Sequence, residues 1–255
     1  MGVRPLVRAS RFLTDRFLFG FHPLALPAQK AIQHFLRGPR EAIFRFGNGG
    51  PGEGMQFSCL TSHRYYFVRD DFERELMKPI TTLVRPGSVA FDVGAHFGFW
   101  ALMLSRLCGD SGKVFAFEPS PTNRARLQKN LAINSIKNVE VVPVALSDTI
   151  GTTTMSDAGS MSSIGCGALK IETTTLDEFC RCHPVPDFML VDVEGFAAQV
   201  FQGAILTYRQ TFVPVICELH TRNEQAAFLQ FMHGRAHDIR KLDKLFRLPN
   251  RTLAI

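Results

Sequence analysis

From Ser88 onward, short apolar runs alternate with longer stretches of helical period. That alternation restricts the chain to an α/β fold, a doubly wound and largely parallel sheet with helices on both faces. The expected strands are residues 89–93, 113–117, 139–142, 187–191 and 213–218, followed by two or three short ones around 239–242, 245–248 and 252–255. The expected helices begin near Phe99 and span 121–133, 176–179, 197–208 and 223–232. Val89, Ala90, Phe91 and Val93 form the near-continuous apolar run of a strand covered on both faces, with Asp92 closing it. Gly94 and Gly98 then let the backbone turn tightly against a bound ligand.

Ahead of this domain the pattern is different. Three short alternating pieces, 42–46, 55–60 and 65–68, predict a small antiparallel meander, with Gly47 to Gly52 as a turn. Asp71 is placed to cap a helix running to about Val84, which Pro86-Gly87 stops. The chain is therefore divided into a basic segment with a meander, 1–70, and the α/β domain, 71–255. Residues 1–40 carry seven Lys/Arg against one acid, Asp15, with Phe and Leu interleaved. They suit a membrane-surface or targeting segment, and equally a helix packed on the domain with its basic side outward. The segment 149–167 is rich in Gly, Ser, Thr and Met and reads either as a loop folding over a ligand or as a connection containing a hairpin.

With 255 residues, 45% of them hydrophobic and 20% charged, the chain buries a full core and is not disordered. Its formal charge of +6 is spread out. That fits a mild preference for anionic partners or ordinary solubility, and no Lys/Arg block of nucleic-acid type is present. The six cysteines lack disulfide-framework spacing, so reduced thiols and a cytoplasmic location are expected, with membrane association through the basic N-terminus as an extension of that expectation. The apolar stretch from Phe17 to Leu26 is too short to span a bilayer. Cys180-Arg-Cys182-His183 is tighter than a zinc knuckle and has no second Cys/His pair, so no metal site is expected.

Ligands in such sheets bind at the carboxyl ends of the strands, which here carry Asp92, Glu118, Asp192, Glu194, Glu218 and His220, with Asp148 nearby. A glycine turn after the first strand admits a flat cofactor, and an acid ending the second reaches ribose hydroxyls. The dinucleotide pattern G-x-G-x-x-G is absent, since His96 stands between Gly94 and Gly98. This argues against a pyrophosphate, and the acid before the turn suits a cofactor bearing an amine and a sulfonium.

Six stretches in order make the reading specific: FDVGAHFG (91–98), FAFEP (115–119), ALSD (145–148), TTLD (174–177), VDVEG (191–195) and Glu218-Leu219-His220. Over roughly residues 70–222 the chain resembles the FkbM family of S-adenosylmethionine-dependent methyltransferases. The resemblance implies a Rossmann-like, seven-stranded methyltransferase sheet, here with a small N-terminal helix and β-meander extension, and O-methylation of a small molecule, sugar or lipid-linked glycan. It implies that Asp92, Gly94 and Gly98 surround the methionine part of the cofactor, with Ala95 and His96 in the same turn. Glu118, followed by Pro119, would hold the ribose, and Ala145 and Asp148 would flank the adenine. His220 or Asp192 would be the base, with Glu194 and Glu218 orienting it or the substrate. The chain departs from the family pattern at His96, usually Asn, and at Leu190, often Lys. The rivals are an RNA methyltransferase, disfavoured by the lack of an Asn/Asp-Pro-Pro-aromatic motif, and a non-catalytic binding protein that kept the fold.

Overall fold

The computed structural model describes residues 41–47, 50–60, 74–156, 164–165, 167–236, 238–241 and 250–254. Two compact units divide the chain, Met1–Ala42 with Cys59–Tyr66 and Ile43–Ser58 with Phe67–Ile255, and nearly all described residues belong to the second. The N-terminal helix, the strand at 65–68, the Asp71 cap and the strand at 245–248 lie outside the described residues.

In chain order the elements are β1 (Glu41–Arg45), β2 (Gln56–Leu60), α1 (Arg74–Leu83), β3 (Val89–Val93), α2 (Phe99–Cys108), β4 (Lys113–Phe117) and α3 (Pro121–Ile133). They continue as β5 (Val139–Val142), β6 (Ala145–Leu146), β7 (Gly151–Met155), β8 (Leu169–Thr174), α4 (Leu176–Cys182), β9 (Phe188–Val191) and α5 (Ala197–Gln202). The last are α6 (Ile205–Gln210), β10 (Val215–Leu219), α7 (Arg222–Met232), β11 (Ile239–Lys241) and β12 (Asn250–Ala254). The main sheet has seven strands in the order β11-β12-β10-β9-β3-β4-β5. From β10 to β5 they run parallel, and β12 is antiparallel to both of its neighbours. The chain builds outward from β3 to β5 on one side and from β9 to β10 on the other. The strand order therefore reverses between β3 and β9, where open α/β sheets form their ligand crevice.

Side chains along each strand alternate between two cores. Phe91, Val93, Phe115, Phe117, Met189, Val191, Val215 and Cys217 share one with α4 to α7. Ala90, Val114, Phe188, Leu190 and Ile216 share the other with Leu76, Ile80, Leu104 and Cys108 of α1 and α2. Phe179 packs edge-on against Phe91, Phe115 and Phe117, with ring centroids 4.9–5.5 Å apart. Burying one such side chain stabilises the fold by roughly 1.5–3 kcal/mol.

Three local features correct or extend the sequence expectation. The predicted helix 197–208 is broken into α5 and α6, because a side chain at Gly203 would strike the Ser147 carbonyl oxygen and because Asp177 accepts from the N–H groups of Leu206 and Thr207 at 2.9 and 2.7 Å. Those contacts cap a new helix start. Of the two readings of 149–167 the hairpin is the closer: β7 and β8 pair antiparallel, and β6 joins β8 to make a separate three-stranded sheet. β8 buries only Ile171 and Thr173, too little for its period to stand out. Finally, β2 pairs with β1, as expected, but also with side chains: Asn130 of α3 and Asn134 at its C-cap each accept from and donate to the β2 backbone at Ser58 and Gln56. Among the described residues, no helix is long and apolar enough to cross a membrane.

Candidate active site

The same alternation that builds the cores selects the face of the site. Asp92 has the parity of Ala90, Glu118 that of Val114, Asp192 that of Leu190, and Glu218 and His220 that of Ile216, so all five belong to the α1–α2 face. β3 runs one residue beyond Asp92, to Val93. The register aligns Val93 with both Phe117 and Val191, and Val191 with Cys217. One residue further, Glu118, Gly94, Asp192 and Glu218 form a row across the crevice. Gly94, at φ 89°, has no room for a Cβ, which would meet the Asp192 carbonyl oxygen at 1.9 Å. Chain packing therefore requires this glycine. Gly98, at φ 88°, would bring a Cβ to 2.3 Å from the end of the Leu127 side chain, so packing adds its own demand for glycine at the two positions the sequence assigns to the ligand turn.

On the β3–β4 side the turn is closed by its own backbone. The N–H groups of Gly94 and Ala95 both donate to the Phe117 carbonyl at 3.0 Å, and that of Gly98 donates to Ala95 at 2.7 Å. The His96 N–H donates to Glu118 Oε2 at 2.8 Å, and Ser120 N–H reaches Oε1 of the same carboxylate at 2.8 Å. With these donors committed, the turn is no phosphate cradle. His96 sits at φ 50° with its ring stacked on Phe97, 3.6 Å between centroids. Asp92 is buried, and among the described residues its Oδ2 has no hydrogen-bond partner. Burial, then the charges of Asp192 and Glu118, push its pKa up to about 8 against a hydrogen bond from the Ala101 backbone. Burial also raises Glu118, partly offset by its backbone donors, Asn123 and Arg124.

The β9–β10 side is built from interacting side chains. His220 Nε2 lies 3.2 Å from Asp192 Oδ1, and His220 Nδ1 lies 3.7 Å from Glu194 Oε2. The imidazole is 19% exposed, whereas the two acids are nearly half exposed. Burial disfavours the imidazolium, but Asp192, Glu194 and Glu218 together outweigh it and lift His220 to about 9. Burial likewise raises Glu194, which His220 counters. Glu194 occupies the left-handed region at φ 46°, a conformation costing a non-glycine residue roughly 1–2 kcal/mol. One ligand-type atom from each of Asp192, Glu218 and His220 lies within 4.8 Å of the others. Nε2 is engaged by Asp192 while Nδ1 lies beyond hydrogen-bond distance of Glu194, so the cluster can act as an acid–base group. A small cleft beside it is lined by Trp100, Leu190, Asp192, Ile216 and Glu218.

Of the remaining sequence candidates, Pro119 directly follows Glu118, whereas Ala145 and Asp148 lie in and just after β6 of the three-stranded sheet. Pro119 is buried and its carbonyl accepts from Arg124. Ala145 is buried in β6, and Asp148 Oδ1 accepts from the Ser147 hydroxyl at 3.0 Å. Trp100, the Ala101 N–H and the capping pair Thr221–Glu224 were missed by sequence reasoning. Only the last had a legible signal, the spacing Thr221-x-x-Glu224 at a helix start. Cys180, Cys182 and His183 form no joint site: the thiols are unbridged, and the His183 ring stacks on Phe179 while its Nδ1 bonds the Phe179 carbonyl.

Comparison with known proteins bears on what this crevice does. The profile of the methyltransferase FkbM domain matches residues 92–247. The hexuronic acid methyltransferase AglP of Haloferax volcanii is 26% identical over 179 residues, covering 66% of this chain and 72% of that protein. The crystal structure of methyltransferase FkbM from Methylobacillus flagellatus superposes with a TM-score of 0.52 at 16% identity; the match covers 66% of this chain and only 43% of that one. Fibrillarin from Aeropyrum pernix, solved with natively bound S-adenosyl-L-methionine, gives a TM-score of 0.50 at 14% identity and covers 88% and 87%. The structural matches show the Rossmann-like methyltransferase fold, and the profile, matching more than half of the sequence, shows that the chain belongs to the FkbM methyltransferase domain family.

Proposed function

We propose that the protein transfers a methyl group from S-adenosylmethionine to a hydroxyl of a sugar acid or a glycan carrying one. The observation that carries this reading is the His220–Asp192 pair, set on the same sheet face and at the same strand ends as Asp92 and Glu118. The name of the Haloferax relative supports the sugar-acid class.

The residues fit this cofactor. The buried Asp92 Oδ2, without a partner among the described residues, is a carboxyl oxygen that a cationic donor would satisfy. Glu118 accepts two backbone N–H groups and a side-chain bond from Asn123, which leaves one of its lone pairs for a ribose hydroxyl. Gly94 leaves the row between Glu118 and Asp192 without a side chain. When bound, the cofactor supplies an electrophilic methyl group on a sulfonium.

The protein's own part is alignment and proton removal. Asp192 holds a proton on His220 Nε2, which leaves the Nδ1 lone pair to take the proton of the acceptor hydroxyl. Glu194, beside Nδ1, stabilises the imidazolium that results. Glu218 and Trp100 line the adjoining cleft, which receives the acceptor.

The test is incubation with methyl-tritiated cofactor and a panel holding a glucuronic acid-terminated oligosaccharide, its neutral counterpart and structured RNA. Alkali-stable label in the acidic sugar is the expected result, since an ether survives base. Alkali-labile label marks a methyl ester and removes the need for His220 as base, and label in the RNA overturns the substrate class.

A further inference from the structure

Glu224 lies outside the six sequence stretches, yet it is the most heavily engaged buried acid beside the site. It is 4% exposed. Its Oε2 accepts from the backbone N–H of His220 at 3.0 Å and of Thr221 at 3.1 Å. Its Oε1 accepts from the N–H of Ala197 at 3.0 Å. A capping box needs only the Thr221 contact, so the bonds to His220 and Ala197 are additional. Ala197 opens α5 directly after the turn that carries Asp192 and Glu194, a turn closed by the Phe196 N–H on the Val193 carbonyl. One planar carboxylate thus bonds the backbone of both loops whose side chains meet at the His220–Asp192 contact.

We infer that Glu224 is a positioning residue, a clamp that sets the spacing between the His220 loop and the Asp192–Glu194 turn and so fixes the imidazole against its carboxylate partner. The inference rests on the His220–Asp192 reading above. It assigns Glu224 no contact with substrate.

Two variants separate alignment from charge. Glu224→Gln keeps the shape but has one acceptor oxygen, so it serves one loop and turns an amide N–H toward the other donor. Glu224→Asp keeps the charge but is one methylene short of spanning both loops. The readout is the titration of the His220 ring, followed by NMR in histidine-labelled full-length protein, which requires no methyl acceptor. The groups facing that ring, Asp192, Glu194 and Glu218, are unchanged in both variants.

The expected result is a wild-type ring titrating near 9 and, in both variants, a fall toward the ordinary 6.5 as the Asp192 contact loosens. Thr221→Ala, which removes the capping hydroxyl and weakens only the helix start, leaves the titration in place. A folded Gln or Asp variant with the wild-type titration overturns the clamp. So does a fall confined to the Gln variant, which is lost charge, or an equal fall in Thr221→Ala, which is general loosening. Replacing Ala197 by its α-hydroxy acid deletes its bridging N–H without a proline ring behind Phe196, which sits at ψ 9°, and gives the same reading if neither Glu224 variant folds. A wild-type ring already titrating near 6.5 removes the His220–Asp192 pair itself, an outcome distinct from failure of the clamp alone.

Discussion

The two sides of the crevice raise a pKa in opposite ways. At the ends of β3 and β4, Asp92 is buried and burial drives its shift, so near pH 7 it stands largely neutral. At the ends of β9 and β10, His220 is lifted by acids that outweigh its burial, so at the same pH it stands charged. The first side is a preformed, backbone-closed pocket in which the charges acting on Asp92 are those of two other acids. The second is a half-exposed set of coupled side chains that must release a proton before it can accept one.

The largest effect expected from that contrast is functional. His220→Ala should lower turnover by roughly 10²–10⁴-fold, the range for losing a general base, with little change in cofactor affinity measured by calorimetry. A comparable loss of affinity would mean that the two sides do not divide the work. Gly94→Ala strikes both at once, since its Cβ would meet the Asp192 carbonyl and its φ is 89°. It should cost roughly 2–3 kcal/mol of stability by denaturant titration, and a neutral result would remove the packing account of that glycine.

Asp92→Asn should weaken cofactor binding by roughly 10- to 100-fold, the loss expected for a charge-assisted contact. Its effect on stability has the opposite sign. The folded chain holds the Asp92 proton up to about 8, whereas the unfolded value is 3.8. The stability linked to that proton is full below 3.8 and is lost as pH rises through about 8. Asn mimics the protonated form, so above pH 8 the variant should melt higher than the wild type, and a lower melting temperature there would contradict the neutral Asp92. The smallest effect is a proton count. At neutral pH, cofactor binding should ionise Asp92 and release up to one proton, seen as a difference in binding enthalpy between phosphate and Tris buffers, and identical enthalpies would place the proton elsewhere.

Much of this arrangement was legible in the sequence because it depends on period. Apolar runs located β3, β4, β5, β9 and β10, and the acids at their ends share one parity, which puts Asp92, Glu118, Asp192 and Glu218 on one face. What stayed hidden depends on contacts between distant segments. Asp177 caps α6 from another element, Asn130 and Asn134 replace a strand beside β2, and Gly94 is required by a carbonyl almost a hundred residues away. No local pattern encodes such pairings. Glu224 is intermediate: its capping spacing was visible, but the bond to Ala197 exists only in the folded chain.

The account turns on His220 acting as a base only after it loses the proton that Asp192 helps it hold. The direct measurement is turnover from about pH 6 to about pH 10 with saturating cofactor and the glucuronic acid-terminated acceptor, in the wild type and in Asp192→Asn. Wild-type turnover should climb with pH and level off above about 9, and the variant should be slower with its bend displaced toward 6.5. A wild-type profile that is flat across the range, or a bend that Asp192→Asn leaves in place, would contradict the assignment.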